Sequence, residues 1–246
     1  MIKAKDKLVL ALDVDTKEEA KNLIYQLKDY VGTFKIGLQL FSKEGPEIVK
    51  IIQGEGCKVF FDGKFHDIPN TVAKASANVV KLGVDIFDVH ITGGSKMLTE
   101  TSNIVKDTAL KAGCNPPVVL GITVLSSIDQ YVLSNELKVD FNINDYVVNL
   151  ALLAKQNGLT GVVASVNEAI NIRKACGDNF VILCPGIRPE WASVNDQKRI
   201  ATPTNAIKAG ADLLVIGRPI TAQADKVTAS KRILEEIEEA MLLTVV

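Results

Sequence analysis

The sequence predicts an α/β protein built as one (β/α)₈ barrel of the TIM type. Short apolar runs rich in β-branched residues recur eight times, and helical patterns separate them. Runs that are apolar at nearly every position are typical of parallel strands buried on both faces. No Pro/Gly/Ser-rich linker interrupts the series, so we expect residues 1–246 to form a single domain.

The eight predicted strands share this near-continuous hydrophobicity. In chain order they are Leu8–Val14, Phe34–Phe41, Lys58–Lys64, Ile86–Thr92, Val118–Leu125, Gly161–Ser165, Phe180–Gly186 and Leu213–Gly217. Eight strands, each followed by a helix, favour a closed barrel over an open doubly wound sheet.

Recognisable helix ends lie between the strands. Thr16 and Glu19 have the spacing of a capping box. Pro69 suits the first turn of a helix that ends at Gly83. These signals support the alternation of strands and helices.

The connection after the fifth strand is irregular. Residues 126–145 form an unusually long link, in which Asp129–Leu137 predicts a short extra helix before the helix Tyr146–Asn157. Long connections on barrels commonly act as lids, so a lid is the expected role of this segment.

Composition and charge narrow the class of function. The 246 residues are 47% hydrophobic, which is enough for one large core, and 28 basic side chains balance 29 acidic ones. Near-zero net charge without a basic run gives no support for nucleic-acid binding. No apolar run reaches the roughly 20 residues of a membrane-spanning helix. We therefore expect a small-molecule partner, with no nucleic acid and no membrane.

The cysteines and the N-terminal residues indicate the cellular compartment in which the protein is expected. The cysteines are Cys57, Cys114, Cys176 and Cys184. They show no C-x-x-C pair and no histidine at ligand spacing, which predicts reduced thiols and no structural zinc. The chain starts without the pattern of a signal peptide. We expect a soluble cytoplasmic protein.

Polar residues towards the ends of the predicted strands are the candidate site residues, because chemistry in such barrels lies at the carboxyl ends of the strands. In chain order they are Asp13, Asp62, Lys64, His90, Thr123, Ser126, Arg188 and Arg218, and Lys35 is added from near the start of the second predicted strand.

One strand-to-helix junction carries three charges. A period of two places Asp62 and Lys64 on the same strand face, at the rim of the barrel. If Pro69 begins the helix, Ile68 is its N-cap, and Asp67 lies one position too early for that duty. A structural ion pair is the alternative for an isolated Asp-x-Lys. With the third charge, carboxylates on both sides would favour the charged form of Lys64, which could then deliver a proton.

The last two predicted strands each run into glycine followed by an Arg-Pro pair. The segments are Gly186-Ile187-Arg188-Pro189 and Gly217-Arg218-Pro219. Glycine lets backbone N–H groups approach phosphate oxygens, and arginine supplies a bidentate fork. These segments therefore indicate a phosphorylated ligand. The alternative is that the arginines are solvated and the glycines only make turns.

The two histidines do not define a site. His66 is expected at the surface or in packing, and His90 in the core or in a supporting role. The absence from the sequence of a Ser-His-Asp set and of a G-x-G-x-x-G loop after the first strand argues against hydrolase and dinucleotide-binding functions.

Together these motifs resemble the orotidine 5′-phosphate decarboxylase family in its bacterial short-chain form, over essentially the whole chain. The family signature D-x-K-x-x-D-I-P-x-T is intact as Asp62, Lys64, Asp67, Ile68, Pro69 and Thr71. It is joined in order by Leu12-Asp13, Phe34-Lys35, Thr123-Val124-Leu125-Ser126-Ser127, Pro185-Gly186-Ile187-Arg188, Asp196-Gln197 and Ile216-Gly217-Arg218-Pro219-Ile220.

The resemblance implies decarboxylation of orotidine 5′-monophosphate to uridine 5′-monophosphate and CO₂, the last step of de novo pyrimidine synthesis. It implies no metal and no organic cofactor. The implied charge network is Lys35, Asp62, Lys64 and Asp67. The implied assembly is a homodimer in which Asp67 and Thr71 reach into the neighbouring active site.

The resemblance also implies a set of substrate contacts. They are Asp13 and Lys35 at the ribose hydroxyls, Asp62 near the departing carboxylate, Ser126 at the pyrimidine ring, and Arg188, Gln197, Gly217 and Arg218 around the phosphate, with Thr123 as a further substrate-binding residue. The exact roles of Ser127, His90 and the segment 126–145 stay open.

Two other functions stay open. Related barrels that share D-x-K-x-x-D, 3-keto-gulonate 6-phosphate decarboxylase and hexulose-phosphate synthase, act on sugar phosphates and require magnesium. The second open function is that of a non-catalytic barrel that only binds a phosphorylated ligand. The segment Asp67–Thr71 and the loop of Gln197 favour the nucleotide enzyme, and a binding protein has no need of Lys64 between two carboxylates.

Overall fold

The computed structural model describes residues 3–192 and 201–243. Within them, eight parallel strands close into a barrel in which each strand pairs with the next and the last pairs with the first. The strands are β1 (Leu8–Ala11), β2 (Thr33–Ile36), β3 (Lys58–Phe65), β4 (Ile86–His90), β5 (Val118–Ile122), β6 (Gly161–Val163), β7 (Val181–Cys184) and β8 (Leu213–Ile216). The predicted (β/α)₈ barrel is confirmed.

Helices follow the strands along the chain. They are α1 (Ala4–Lys7), α2 (Lys17–Leu27), α3 (Leu38–Glu44), α4 (Glu47–Gly54), α5 (Pro69–Lys81), α6 (Gly94–Ala112), α7 (Ile143–Gln156), α8 (Val166–Cys176), α9 (Pro203–Lys208), α10 (Arg218–Thr221) and α11 (Lys226–Leu243). A 3₁₀ turn spans Ile91–Gly93 and a π-helical turn spans Val132–Glu136. Among the helices of the described segments, none combines the length and apolar content needed to cross a bilayer.

The apolar core has two layers. The larger layer lies between the strands and the helices. The smaller one fills the barrel interior and consists of Val9, Ala11, Phe60, Ile86, Leu120, Leu183 and Val215. Because side chains alternate along a strand, residues two positions beyond Phe60 and Ile86 lie on the same interior face, nearer the carboxyl end. The interior layer is therefore the floor beneath the candidate site.

The predicted second strand is wrong in its second half. The strand β2 ends at Ile36, and α3 begins at Leu38 with Gly37 as its N-cap. Apolar residues continue through Phe41, but only Leu40 of α3 is fully buried. A short apolar run does not distinguish a strand from one or two turns of helix, which explains the error.

Several other predicted strands extend too far at the carboxyl end. The first was expected to reach Val14 and the fifth Leu125, whereas β1 ends at Ala11 and β5 at Ile122. The chain just beyond these ends stays buried, as Leu12 shows with no exposed surface in the layer between strands and helices. Apolar sequence therefore continues past the ends of the regular strands.

The predicted helix ends are confirmed. The Thr16 hydroxyl accepts from the Glu19 N–H at 3.2 Å, and the Glu19 carboxylate accepts from the Thr16 N–H at 3.2 Å. Pro69 is the first residue of α5, with Ile68 as its N-cap, and Gly83 follows the helix with a φ of 75°.

The long connection after β5 differs from its prediction in detail. The expected helix Asp129–Leu137 is reduced to the π-helical turn Val132–Glu136. The next helix, α7, begins at Ile143, three residues earlier than expected, because the Asn142 side chain accepts from the Asn144 N–H at 2.9 Å. Its role as a lid stays a prediction.

One glycine of the barrel supports a stability prediction. A Cβ added at Gly161 would overlap the Val181 carbonyl oxygen of the paired strand β7. We expect Gly161→Ala to destabilise the protein by about 1–3 kcal/mol, because neither strand can shift without losing pairing. The matched control is Gly54→Ala, where an added Cβ meets no neighbour within 4 Å. Chemical denaturation would measure both, and equal stability of the two variants would contradict the prediction.

Candidate active site

A chain of alternating charges crosses the interior face of the barrel at the carboxyl ends of β2 and β3. The Lys35 ammonium lies 2.9 Å from Oδ2 of Asp62 and 3.5 Å from Oδ1 of Asp13. The other oxygen of Asp62, Oδ1, is ion-paired with the Lys64 ammonium. Both oxygens of Asp62 therefore bind lysine, and the predicted cluster of Lys35, Asp62 and Lys64 is present.

Burial makes these ion pairs strong. The side chains of Lys35 and Asp62 are 10% and 12% exposed. Burial alone would lower the pKa of Lys35, but Asp62 and then Asp13 outweigh it and hold that pKa above its ordinary value. Burial likewise opposes ionisation of Asp62, yet Lys35 and Lys64 hold its pKa well below the usual range. Asp62 is thus a buried, fixed negative charge between two ammonium groups.

Lys64 reaches this position through an irregularity in β3. Its backbone φ is 49°, in the left-handed region that side chains rarely adopt. The register between β3 and β4 shifts between Phe61 and Phe65. Lys64 does lie beside Asp62 as predicted, but a bulge rather than regular alternation brings it there. Such local strain is typical of functional sites.

The sequence analysis missed Asp88. This residue lies on β4, is 1% exposed, and accepts the Lys64 backbone N–H on Oδ1 at 2.7 Å. Burial raises its pKa well above the ordinary value, and the neighbouring Asp62 carboxylate raises it further. A signal was available, because an aspartate two residues after interior Ile86, in an otherwise apolar strand, must face the barrel interior.

The structure does not bring Asp67 to Lys64 of the same chain. Asp67 is exposed, and its Oδ1 accepts the Ile68 N–H at 2.6 Å. Within residues 3–192 and 201–243 it forms no ion pair. Thr71, on the first turn of α5, is exposed as well. Among the described residues, the carboxylate paired with Lys64 is therefore that of Asp62 alone.

Two neighbouring cavities form the two ends of the space above the charge chain, and they share lining residues. One end holds Lys64 and Asp88 among apolar walls from Ile122, Val124 and Val163, with Ser126 at its edge. Lys35 and Asp62 line both ends. The cavity can therefore take a ligand that presents an apolar ring to one end.

The other end of the cavity matches the predicted phosphate region. Its lining includes Asp13, Gly186, Arg188, Gly217 and Arg218. Arg188 is 4% exposed, and its backbone N–H donates to the Ala201 carbonyl at 2.9 Å. The structure brings these predicted residues together. Gln197 lies outside the described residues.

The hydroxyl of Thr123 has a structural partner. It donates to the Val163 carbonyl at 2.8 Å, linking the ends of β5 and β6, and the residue is 4% exposed. Its predicted contact with substrate stays a prediction. Ser127 is exposed in the loop beyond Ser126.

The histidines stand beside the site. His66 is exposed, as expected, and its ring lies 5.2 Å from that of half-buried His90. Burial lowers the pKa of His90, and the neighbouring His66 and Lys64 lower it further. His90 is therefore held towards its neutral form at neutral pH.

The fold and the site together define the class of protein: a (β/α)₈ barrel with an enzyme-type charge cluster and a cationic cavity at the carboxyl ends of its strands. A family model described as the orotidine 5′-phosphate decarboxylase / HUMPS family matches residues 6–233. The chain belongs to this family. The family that the sequence motifs predicted is thus confirmed.

Curated relatives cover nearly the whole chain. An orotidine 5′-phosphate decarboxylase of Syntrophotalea carbinolica is 46% identical over 241 residues, covering 98% of each protein. One of Syntrophomonas wolfei is 47% identical over 239 residues, covering 97% of this chain and all of the relative. The crystal structure of the Lactobacillus acidophilus orotidine 5′-phosphate decarboxylase matches with a TM-score of 0.83 and 34% identity, covering 94% of this chain and 98% of that one.

Proposed function

We propose that this protein decarboxylates orotidine 5′-monophosphate to uridine 5′-monophosphate and CO₂, the last step of de novo pyrimidine synthesis. The observation that carries the proposal is the buried charge chain in which Asp62 binds Lys35 and Lys64 through its two oxygens. The curated relatives that match the whole chain bear this activity in their names.

The chemistry requires electrostatic catalysis. Loss of CO₂ from C6 leaves a carbanion in the plane of the pyrimidine ring, where no conjugated group can accept its charge. A fixed ammonium beside C6 lowers the barrier, because it binds the carbanion more strongly than the neutral ring. Lys64 supplies that charge and then protonates C6. Its ion pair with Asp62 holds it in place before substrate binds.

Asp62 has a second effect in this proposal. Its carboxylate is held ionised at the position where the substrate carboxylate would approach, so the two negative charges repel each other until CO₂ departs. This repulsion between the two carboxylates decreases as CO₂ departs, which favours the transition state over the bound substrate.

The phosphate of the substrate belongs at the far end of the cavity. Arg188 and Arg218, with the backbone around Gly217, suit a phosphate group, and Asp13 with Lys35 lies between them and Asp62 in reach of ribose hydroxyls. Ser126 and Thr123 are proposed for the ring, and Gln197 for the phosphate. Binding energy from this remote group can be used to close the loops over the site.

The rival within the family is a magnesium-dependent enzyme acting on sugar phosphates. Both oxygens of Asp62 accept from lysine ammonium groups, an arrangement that suits metal-free electrostatic catalysis better than a divalent cation site. The discriminating experiment offers orotidine 5′-monophosphate and a 3-keto-hexonate 6-phosphate in parallel, each with added Mg²⁺ and with EDTA. We expect the protein to turn over orotidine 5′-monophosphate and not the sugar phosphate, at a rate that EDTA does not change. Turnover of the sugar phosphate that EDTA abolishes would overturn the proposal.

We further propose a homodimer in which Asp67 and Thr71 complete the neighbouring active site. Asp67 is exposed and has no lysine partner among the described residues, although it follows Lys64 by only three residues. The adjacent Ile68 side chain is 67% exposed, an apolar surface that a partner subunit would cover. We also propose that residues 1–246 form one domain and that the protein is cytoplasmic.

A hybrid dimer tests which subunit supplies Asp67. Lys64→Ala and Asp67→Ala homodimers should each be inactive. If Asp67 acts across the interface, mixing them after reversible dissociation gives hybrids with one intact site, and activity should return to about a quarter of the wild-type value. If Asp67 acts within its own chain, every site of the hybrid carries a lesion and activity stays absent, which would contradict the proposal.

A further inference from the structure

Asp88 and Asp62 are neighbours across two paired strands. Phe60 of β3 is in register with Ile86 of β4, and both belong to the interior layer. Asp62 and Asp88 each follow the last regular pair, Phe61 and Phe87, and both line the same cavity, so their side chains are neighbours where the register begins to shift. They are 8% and 1% exposed. Two ionised carboxylates side by side in such a setting would repel each other strongly.

The hydrogen bonds of Asp88 account for one of its oxygens only. Oδ1 accepts the Lys64 N–H at 2.7 Å, where the bulge has removed the regular strand pairing. Oδ2 is buried and has no hydrogen-bond partner within the described segments. Two ionised carboxylates can only accept hydrogen bonds, so they cannot bond each other. When Asp88 carries a proton on Oδ2, that oxygen can donate a hydrogen bond to the Asp62 carboxylate.

We propose that Asp88 is a positioning residue that is kept as a neutral acid, donates its proton to Asp62 and fixes the left-handed backbone of Lys64 through its other oxygen. This proposal rests on the decarboxylation proposed above. Asp88 would act through Asp62 and Lys64 rather than on the substrate, holding the carboxylate and the ammonium at the separation that the reaction requires.

The charge balance of the site agrees with a neutral Asp88. The charges that face it come from Asp62 and Lys64 on β3, and His90 follows it on β4. The other neighbouring strand, β5, has the sequence VVLGI and contributes no titratable side chain. Lys35 and Lys64 carry two positive charges, and Asp13 and Asp62 carry two negative ones, so the charge chain is neutral when Asp88 is neutral. An ionised Asp88 would leave a net negative charge facing the anionic substrate.

The direction in which the pKa of Asp88 is shifted predicts how activity depends on pH. Burial and Asp62 raise the pKa of Asp88, so its neutral form persists as pH rises above the ordinary aspartate range. The arrangement is complete at lower pH and is lost as pH rises through the raised pKa in the folded state. Deprotonation of Lys35, whose pKa is raised above its ordinary value, would add a separate decline of activity at high pH in every variant.

The experiment compares Asp88→Asn with Asp88→Ala. Asparagine keeps an acceptor for the Lys64 N–H and a donor for Asp62, so kcat should stay close to wild type and should not decline as pH passes the point at which wild-type Asp88 ionises. Alanine removes both, and kcat should fall about 10²-fold with little change in KM, as for a small misplacement of catalytic groups. The control is Asp85→Asn, just before β4, where Oδ2 accepts the Val59 N–H at 2.8 Å at the opposite end of the barrel.

A second measurement needs no substrate. In protein labelled with ¹³C at aspartate carboxyl carbons, wild type should show one carboxyl that ionises far above the usual range and that is missing from Asp88→Asn. Loss of activity in Asp88→Asn equal to that in Asp88→Ala, or an unchanged pH profile and carboxyl spectrum in Asp88→Asn, would overturn the proposal. If wild type fails to turn over the nucleotide, the proposed function fails, while the carboxyl titration still decides the state of Asp88.

Discussion

Replacing Lys64 by alanine should reduce kcat for orotidine 5′-monophosphate by at least about 10⁴-fold. The ammonium carries two contributions in the proposed reaction, stabilisation of the carbanion and delivery of the proton, and each is worth about 10²-fold or more. The phosphate end of the cavity, lined by Arg188 and Arg218, is left untouched. Affinity for uridine 5′-monophosphate should therefore change little.

The assay for this variant combines turnover with calorimetric binding of the product. Lys58→Ala is the matched control, because Lys58 is an exposed lysine at the opposite end of the same strand. It should have wild-type kcat. Normal turnover by Lys64→Ala would remove the assigned role, and loss of product binding together with turnover would show that Lys64 serves binding rather than chemistry.

Replacing Asp62 by asparagine should damage both activity and stability. Lys35 would lose its nearest counter-charge while staying buried, and breaking a buried ion pair by removing one partner costs about 3 kcal/mol or more. Lys64 would lose the ion pair that orients it. We expect kcat to fall about 10²–10³-fold and the midpoint of chemical denaturation to decrease.

The control for Asp62 is Asp107→Asn on α6. Asp107 pairs with Lys111 across one turn of helix at 2.7 Å, and both side chains are largely exposed. Such pairs contribute little, so stability and activity should stay at wild-type values. A small, equal loss of stability in the two variants would contradict the account of Asp62 as the buried centre of the charge chain.

The barrel could be predicted from the sequence because parallel strands buried on both faces are apolar at nearly every position. The strand ends could not be predicted in the same way, since residues such as Leu12 remain buried beyond the end of the strand. For the same reason, the apolar residues of α3 up to Phe41 were predicted as part of a strand. Hydrophobic pattern reports burial, and in this fold burial extends beyond the strands.

The candidate site was predicted in part. Asp62 and Lys64 were identified because a third charge, Asp67, lies close to them at a strand-to-helix junction, while Lys35 entered the predicted charge network through the family resemblance. Asp88 was missed although alternation along β4 points it inwards, because its nearness to Asp62 depends on how β3 and β4 pair. The separation of Asp67 from Lys64 within the chain follows the bulge at Lys64, which residue spacing alone does not encode.

The most direct test of the account follows orotidine 5′-monophosphate by ultraviolet absorbance with purified protein, in EDTA-containing buffer without added cofactor, and measures the CO₂ released. We predict rapid loss of the orotate chromophore, with one uridine 5′-monophosphate and one CO₂ formed for each substrate consumed. Unchanged absorbance with protein shown to be folded, or a reaction that begins only when Mg²⁺ is restored, would contradict it.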